Sequence, residues 1–214
     1  MAVQPCPIYL ITPPKIDDME AFTKDLEAAL SAAPVACLQI RLKDLGDLDI
    51  IHAADIIVPI AHKYGTSVLI NDRPDLVDAC RADGVHIGQD DMDYYSSREM
   101  LGEDAIIGVT CHNSRELAFQ AAMSGADYVA FGAFFETQTK NPKTRAELEI
   151  LTWWHEAVEI PSVAIGGINV SNAAQVIEAG ADFIAVSSGV WAHPDGPEAA
   201  VKSLHQLCLE HSRS

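Results

Sequence analysis

Basic residues are scarce: 14 Lys plus Arg stand against 31 Asp plus Glu, for a formal charge of −17. A chain this acidic repels nucleic acid and anionic membranes unless its few cations cluster, so nonspecific nucleic-acid binding is not expected. Long apolar runs are also missing. No stretch approaches eighteen apolar residues without a charge or turn residue, and the segment Met1 to Pro7 has no basic n-region, so neither a membrane span nor an export signal is expected. The five cysteines, Cys6, Cys37, Cys80, Cys111 and Cys208, are odd in number, scattered, and contain no C-x-x-C spacing. That excludes the usual zinc and redox-pair signatures and points to reduced thiols of a cytoplasmic protein. No G-x-G-x-x-G follows the first strand-like run, which removes the dinucleotide fingerprint.

Hydrophobic residues make up 49% of the 214, enough for a sizeable core. Short β-branched runs alternate throughout with segments of helical period. Strands are expected at Ile8 to Thr12, Val35 to Arg41, Ser67 to Asn71, Gly84 to Ile87, Ile106 to Thr110, Tyr128 to Gly132, Ser162 to Ile165 and Phe183 to Val186. Helices are expected around Asp18 to Ala32, Leu48 to Tyr64, Pro74 to Cys80, Tyr94 to Leu101, Ser114 to Ser124, Glu147 to Val158, Ser171 to Ala179 and Pro197 to Glu210, with Ser114 and Ser171 near the starts of theirs, Ser171 as an N-cap. Strict alternation implies a parallel sheet. Eight such units with no spare segment and no linker fit a single α/β domain over 1–214, a closed (β/α)8 TIM barrel.

An internal echo supports the repeat. Ala82-Asp83-Gly84-Val85, Ala126-Asp127-Tyr128-Val129 and Ala181-Asp182-Phe183-Ile184 repeat one phrase before strands four, six and eight, with Gly125 and Gly180 in helix-ending positions. The aspartates are 44 and 55 residues apart, about two βα units each.

Chemistry in such barrels sits at the C-terminal strand ends. There Gln39, Arg41 and Lys43 alternate with Leu38, Ile40 and Leu42, so the three polar groups share one face and ask for an anion. Asp72 after strand three and Asp91 after strand four lie where neighbouring carboxylates can reach one hard cation such as Mg²⁺; equally, each can cap the helix that follows. Gly166-Gly167 and Ser187-Ser188-Gly189 stand where barrels often bind phosphate, the glycines allowing close backbone approach. The loop after strand six, with Thr137, Thr139 and Lys140, adds hydroxyls and a cation. Two anion seats imply two phosphorylated substrates or one bisphosphate.

In order along the chain, Gln39-Ile40-Arg41-Leu42-Lys43, Ile70-Asn71-Asp72-Arg73, Ala82-Asp83-Gly84-Val85-His86-Ile87-Gly88-Gln89-Asp90-Asp91, Ile107-Gly108-Val109-Thr110-Cys111-His112, Thr137-Gln138-Thr139-Lys140 and Ala164-Ile165-Gly166-Gly167-Ile168 resemble the thiamine-phosphate synthase family. The resemblance implies a Mg²⁺-dependent transferase joining hydroxymethylpyrimidine diphosphate to a thiazole phosphate, with release of diphosphate. It implies that Gln39, Arg41, Lys43 and Asn71 bind the pyrimidine diphosphate, with Thr110 near its phosphates where the family usually has serine. Asp72 and Asp91 would hold the metal and Lys140 the leaving group, while Thr137, Thr139, Gly167, Ser187 and Ser188 would take the thiazole phosphate. Lys140, Arg41 and Thr110 are the catalytic candidates. Glu136 departs from the family loop and is expected to bring a negative charge beside the phosphate seat. Two alternatives are a thiazole tautomerase relative working through His112 and a non-catalytic phosphate-binding barrel. Small-molecule partners are expected, no nucleic acid or membrane, and a homo-oligomer is left open.

Overall fold

A computed structural model describes residues 6–137 and 144–212. The strands are β1 (Ile8–Ile11), β2 (Val35–Ile40), β3 (Ser67–Asn71), β4 (Gly84–Ile87), β5 (Ile106–His112), β6 (Tyr128–Gly132), β7 (Ser162–Ile165) and β8 (Phe183–Val186). They pair in parallel in sequence order, and β8 returns to β1, closing the barrel. The helices between them are α1 (Met19–Ala32), α2 (Asp47–Lys63), α3 (Val77–Cys80), α4 (Tyr94–Leu101), α5 (Arg115–Ser124), α6 (Glu149–Ala157), α7 (Ala173–Glu178), α8 (Ser188–Trp191) and α9 (Gly196–His211). The expected (β/α)8 TIM barrel is the fold.

Strand parity builds two layers. Ile8, Leu10, Leu38, Ile40, Val68 and Ile70 face outward into the layer that packs on the helices, while Tyr9, Ile11, Cys37, Leu69, Tyr128 and Ala185 form a separate cluster inside the barrel. Trp154 is fully buried in the outer layer, edge-on to Phe131, so the Trp153-Trp154 pair belongs to helix packing.

The repeated Ala-Asp phrase has a physical task. Each aspartate lies just before an even strand and accepts from a backbone N–H near the start of the odd strand beside it. Asp83 Oδ2 takes Val68 N at 2.6 Å, Asp127 Oδ2 takes Ile107 N at 2.7 Å, and Asp182 Oδ2 takes Ser162 N at 2.7 Å. A parallel strand that starts at the barrel floor leaves such N–H groups without a ladder partner, and the carboxylates satisfy them. A cationic or imidazole side chain from the preceding even helix flanks each: His62 at 2.8 Å, Arg98 at 2.9 Å and His155 at 3.9 Å. The echo is therefore a (βα)2 repeat with a structural role. Gly125 and Gly180 follow their helices with φ of 101° and 105°, as expected of such caps.

Two local expectations fail. Ser171 is not the N-cap of α7; that position is Asn172, and Ser171 Oγ donates to Asn169 Oδ1 instead. The segment Pro74 to Cys80 is a 3₁₀ turn over Pro74–Leu76 running into α3, because Pro74 fixes the first turn and leaves too few residues for a longer helix.

Candidate active site

The C-terminal strand ends enclose a cavity of about 260 Å³. Gln39, Arg41, Lys43, Asn71, Asp72, Asp91, Thr110, Thr137, Gly167, Ser187 and Ser188 all line it. Thr139 and Lys140 lie outside the described residues. The two anion seats inferred from the strand ends are thus opposite walls of one chamber.

β2 supplies the cationic wall. It ends at Ile40, so Gln39 is the last inward strand residue and Arg41 and Lys43 stand on the loop beyond it. That loop is fixed by its backbone: Arg41 N donates to Thr12 Oγ1 at 2.9 Å and Lys43 N to the Pro14 carbonyl at 2.9 Å. Thr12, fully buried, is therefore a tie between β1 and β2 rather than part of the cavity lining. Burial lowers the pKa of the Arg41 guanidinium, and Asp72 acts in the opposite direction. Among the described residues that guanidinium donates no hydrogen bond, so a half-buried cation faces a chamber with its donors uncommitted.

Asp72 follows β3 in a left-handed conformation, φ 64°, held by its own N–H on the His86 carbonyl at 2.8 Å. Its carboxylate accepts from Lys43 Nζ at 3.2 Å and is in hydrogen-bond contact with Asp91. Asp91 Oδ2 in turn accepts from Gly88 N at 2.7 Å. Burial opposes ionisation of Asp72, but the charge and hydrogen bond of Lys43 outweigh it and its pKa falls. Burial raises the pKa of Asp91, and the neighbouring Asp72 charge raises it further. Neither carboxylate caps a helix: Asp93 is the N-cap of α4, accepting from Ser96 N at 3.1 Å, and Arg73 precedes the 3₁₀ turn. The capping alternative for Asp72 and Asp91 therefore falls away. Two adjacent carboxylates, Asp72 with its backbone tied to β4 and Asp91 bonded to the Gly88 N–H of its own loop, suit a hard oxygen-loving cation. Among the described residues no third His, Cys, Asp or Glu joins them, so water or ligand oxygens must complete such a shell.

The opposite wall is made by the loops after β6, β7 and β8. Ser187 Oγ donates to the Thr12 carbonyl at 3.3 Å and Trp191 Nε1 to the Ile11 carbonyl at 2.6 Å, which seats α8 against β1. The glycines of the β7 loop have a reason the sequence did not disclose. Gly166 and Gly167 have φ of 102° and 67°, and a Cβ on either would meet the loop after β6, at 2.3 Å from Ala133 Cβ and 2.3 Å from the Glu136 carbonyl oxygen. Their smallness admits that loop, which carries Thr137 to the cavity. Glu136 also departs from expectation: it is exposed, pairs with Arg145 at 2.9 Å, and does not line the chamber.

Sequence reasoning missed His86 and Thr144, both of which line the cavity. His86 was findable, since it occupies the inward parity of an otherwise apolar strand, paired in register with Asn71. His112 also lines the cavity, at the end of β5 with φ 55°.

Geometry alone defines a β/α barrel whose mouth opposes a cation–carboxylate wall to a hydroxyl-rich one. Comparison with known proteins narrows this. A family model described as thiamine monophosphate synthase matches residues 8–190, and the chain belongs to that family. It is 54% identical over 202 residues to a thiamine-phosphate synthase of Rhodospirillum centenum, covering 94% of this chain and 97% of the relative. It is 53% identical over 204 residues to one from Hyphomonas neptunium, covering 94% and 92% respectively. Among solved structures, thiamine phosphate pyrophosphorylase from Pyrococcus furiosus superposes with a TM-score of 0.84 at 31% identity, over 96% of each chain. Orotidine 5'-phosphate decarboxylase from Pyrococcus horikoshii, TM-score 0.67 at 14% identity, shares the fold alone.

Proposed function

We propose that the chain is a thiamine-phosphate synthase that couples hydroxymethylpyrimidine diphosphate to a thiazole phosphate with Mg²⁺, releasing diphosphate. One observation carries this reading: Arg41 and Lys43 stand beside the Asp72–Asp91 pair on one wall of a single chamber, and Thr137, Ser187 and Ser188 stand on the other. The first wall suits a diphosphate and the second a monophosphate. Arg41 presents a fork of donors to the diphosphate oxygens, and Lys43 adds a point charge. Gln39 and Asn71 orient the pyrimidine, and the Thr110 hydroxyl reaches the phosphates from β5. Thr137, Ser187 and Ser188 hold the thiazole phosphate so that the ring nitrogen faces the pyrimidine methylene. The C–O bond to diphosphate breaks, its electron pair leaving with the diphosphate, and the nitrogen lone pair then forms the new C–N bond. Mg²⁺ on Asp72 and Asp91 would neutralise part of the charge that collects on the departing diphosphate. No protein nucleophile is required, which agrees with burial of all five cysteines. No described helix is long and apolar enough to cross a membrane. The five free thiols support a cytoplasmic protein.

The test is diphosphate release from purified protein given both substrates. Release is expected with Mg²⁺ and not with chelator. In calorimetry with Mg²⁺ and one substrate at a time, Arg41→Ala should weaken the pyrimidine diphosphate and leave the thiazole phosphate close to normal. Thiazole isomerisation without diphosphate release would instead select the tautomerase reading through His112. Tight binding of both ligands with neither reaction would select the non-catalytic barrel.

A further inference from the structure

Inside the barrel, directly below the chamber, five polar side chains from five different strands join in one chain. Gln39 Nε2 donates to Tyr9 Oη at 3.2 Å, Tyr9 Oη meets Tyr128 Oη at 3.0 Å, and Tyr128 Oη meets His86 Nδ1 at 2.8 Å. His86 Nε2 then meets Thr110 Oγ1 at 2.7 Å. Gln39, Tyr9, Tyr128 and His86 are all buried, so water does not compete for these bonds. The Tyr128 ring occupies room that only a glycine on β5 leaves: a Cβ on Gly108 would fall 1.8 Å from Tyr128 Cζ. The two ends of the chain, Gln39 and Thr110, both line the chamber.

The bonds cannot be set independently. Each hydroxyl has one proton, and burial pushes both phenols well above the ordinary tyrosine range, so neither proton is lost. With Gln39 donating to Tyr9, and the Cys37 thiol beside Tyr9 a weaker acceptor than a phenol oxygen, Tyr9 passes its proton's bond to Tyr128, Tyr128 to His86 Nδ1, and the imidazole then carries its own proton on Nε2, aimed at Thr110. Thr110, already accepting, keeps its hydroxyl proton for the chamber. Gln39, whose amide N–H is engaged below, presents its carbonyl oxygen. In the reversed order, His86 would be protonated on Nδ1, Gln39 would show its amide N–H₂ and Thr110 would aim lone pairs at the ligand. The reversed order would need the Gln39 carbonyl oxygen at Tyr9, where the structure places Nε2 at 3.2 Å, and it would turn the Thr110 lone pairs toward an anionic ligand.

We infer that Tyr9, Tyr128 and His86 are positioning residues that order these protons in one direction, so that Thr110 meets the diphosphate substrate as a donor and Gln39 meets it as an acceptor. The identity of that ligand rests on the function proposed above; the tautomer of His86 does not. The relay also ties the two groups together. Breaking it in the middle frees both to turn, although neither has been changed.

The experiment is ¹⁵N-labelled protein without substrate, in which long-range ¹H–¹⁵N correlations report the tautomer of each histidine and His86→Asn identifies the His86 signals. The expected result is a neutral Nε2–H imidazole in the parent protein and a mixture of tautomers in Tyr128→Phe, which removes the donor to Nδ1 while keeping the ring. In calorimetry with Mg²⁺, Tyr128→Phe should weaken hydroxymethylpyrimidine diphosphate about tenfold, the scale of one hydrogen bond to an anion. Thiazole phosphate should stay within about twofold. Tyr9→Phe, which cuts only the Gln39 side, should weaken the same ligand and keep the His86 tautomer. A Nδ1–H or charged His86 in the parent protein overturns the inference, and so does equal loss of both substrates or an unchanged tautomer in Tyr128→Phe. The parent tautomer is decisive even if a variant fails to fold. A protein with the expected tautomer that releases no diphosphate under any condition would defeat the proposed function and leave the proton order standing.

Discussion

Replacing Gly167 by alanine separates two reasons for a glycine, because this structure contains a control. Gly167 and Gly65 have similar left-handed backbones, φ 67° and 72°. A Cβ at Gly65 would meet nothing within 4 Å, whereas at Gly167 it would lie 2.3 Å from the Glu136 carbonyl oxygen and 2.9 Å from both the carbonyl carbon and the Cβ of Phe135. The loop cannot simply retreat, since Phe134 N is bonded to the Ile165 carbonyl at 3.2 Å and Phe135 N to the Gly166 carbonyl at 3.0 Å. Left-handed strain alone costs an L-residue about 1–2 kcal/mol. Overpacking against a tied loop adds about 1–3 kcal/mol. Gly65→Ala should therefore lose about 1–2 kcal/mol and Gly167→Ala about 2–5 kcal/mol. At about 2–4 °C per kcal/mol for a chain of this size, the second loss is roughly 4–20 °C in Tm. Scanning calorimetry of both variants measures the difference. Because the displaced loop carries Thr137, thiazole phosphate affinity should fall with it while pyrimidine diphosphate affinity holds. Equal destabilisation by the two alanines would refute the packing argument and return Gly167 to a purely conformational or phosphate-approach role.

The acidic pair and the floor aspartates yield two further expectations. The fold raises the pKa of Asp91, first through burial and then through Asp72, so its ionised form is disfavoured in the native state. The penalty is absent below the ordinary carboxylate range, appears as pH rises through the raised value, and is fully present at neutral pH. Asp91→Asn, which can still accept from Gly88 N, should therefore match the parent's Tm near pH 3 and equal or exceed it at pH 7 without divalent ions, while Mg²⁺-dependent coupling collapses; a lower Tm at pH 7 sinks this account. Asp127→Ala leaves the buried Ile107 N–H unpaired and takes a carboxylate from Arg98, a loss of about 2–3 kcal/mol that should appear in urea melts with substrate affinities unchanged. Less than about 0.5 kcal/mol would mean that water takes over the bond.

The barrel was readable because each strand is short, β-branched and bounded by turn residues, and because parity sorts Leu38 and Ile40 from Gln39 without any tertiary knowledge. The cavity wall was readable for the same reason, as strand ends are sequence positions. What escaped depends on where separate strands arrive when the sheet closes. Tyr9, Gln39, His86, Thr110 and Tyr128 stand on five strands, and nothing in their spacing says that their side chains meet. The glycines after β7 were legible as special, but their reason lies on another loop. Ser171 and Asn172 are both good caps, and only the hydrogen bonds of Asn169 decide between them: Ser171 Oγ bonds Asn169 Oδ1, and Asn172 Oδ1 takes Asn169 N at 2.9 Å.

Both ends of this barrel are polar, and their charges are held differently. At the floor, Asp83, Asp127 and Asp182 each accept a strand N–H and face a cationic or imidazole neighbour, so their charges are engaged by the fold itself. At the mouth, the Arg41 guanidinium makes no hydrogen bond among the described residues, and Asp91 is raised in pKa beside a second carboxylate. Native charges held this way lower the stability of the empty protein, and a ligand bearing the opposite charges restores it. Binding of the diphosphate substrate with Mg²⁺ should therefore raise the melting temperature through the mouth residues alone. Floor variants such as Asp127→Ala should start from a lower Tm and show the same ligand-induced rise.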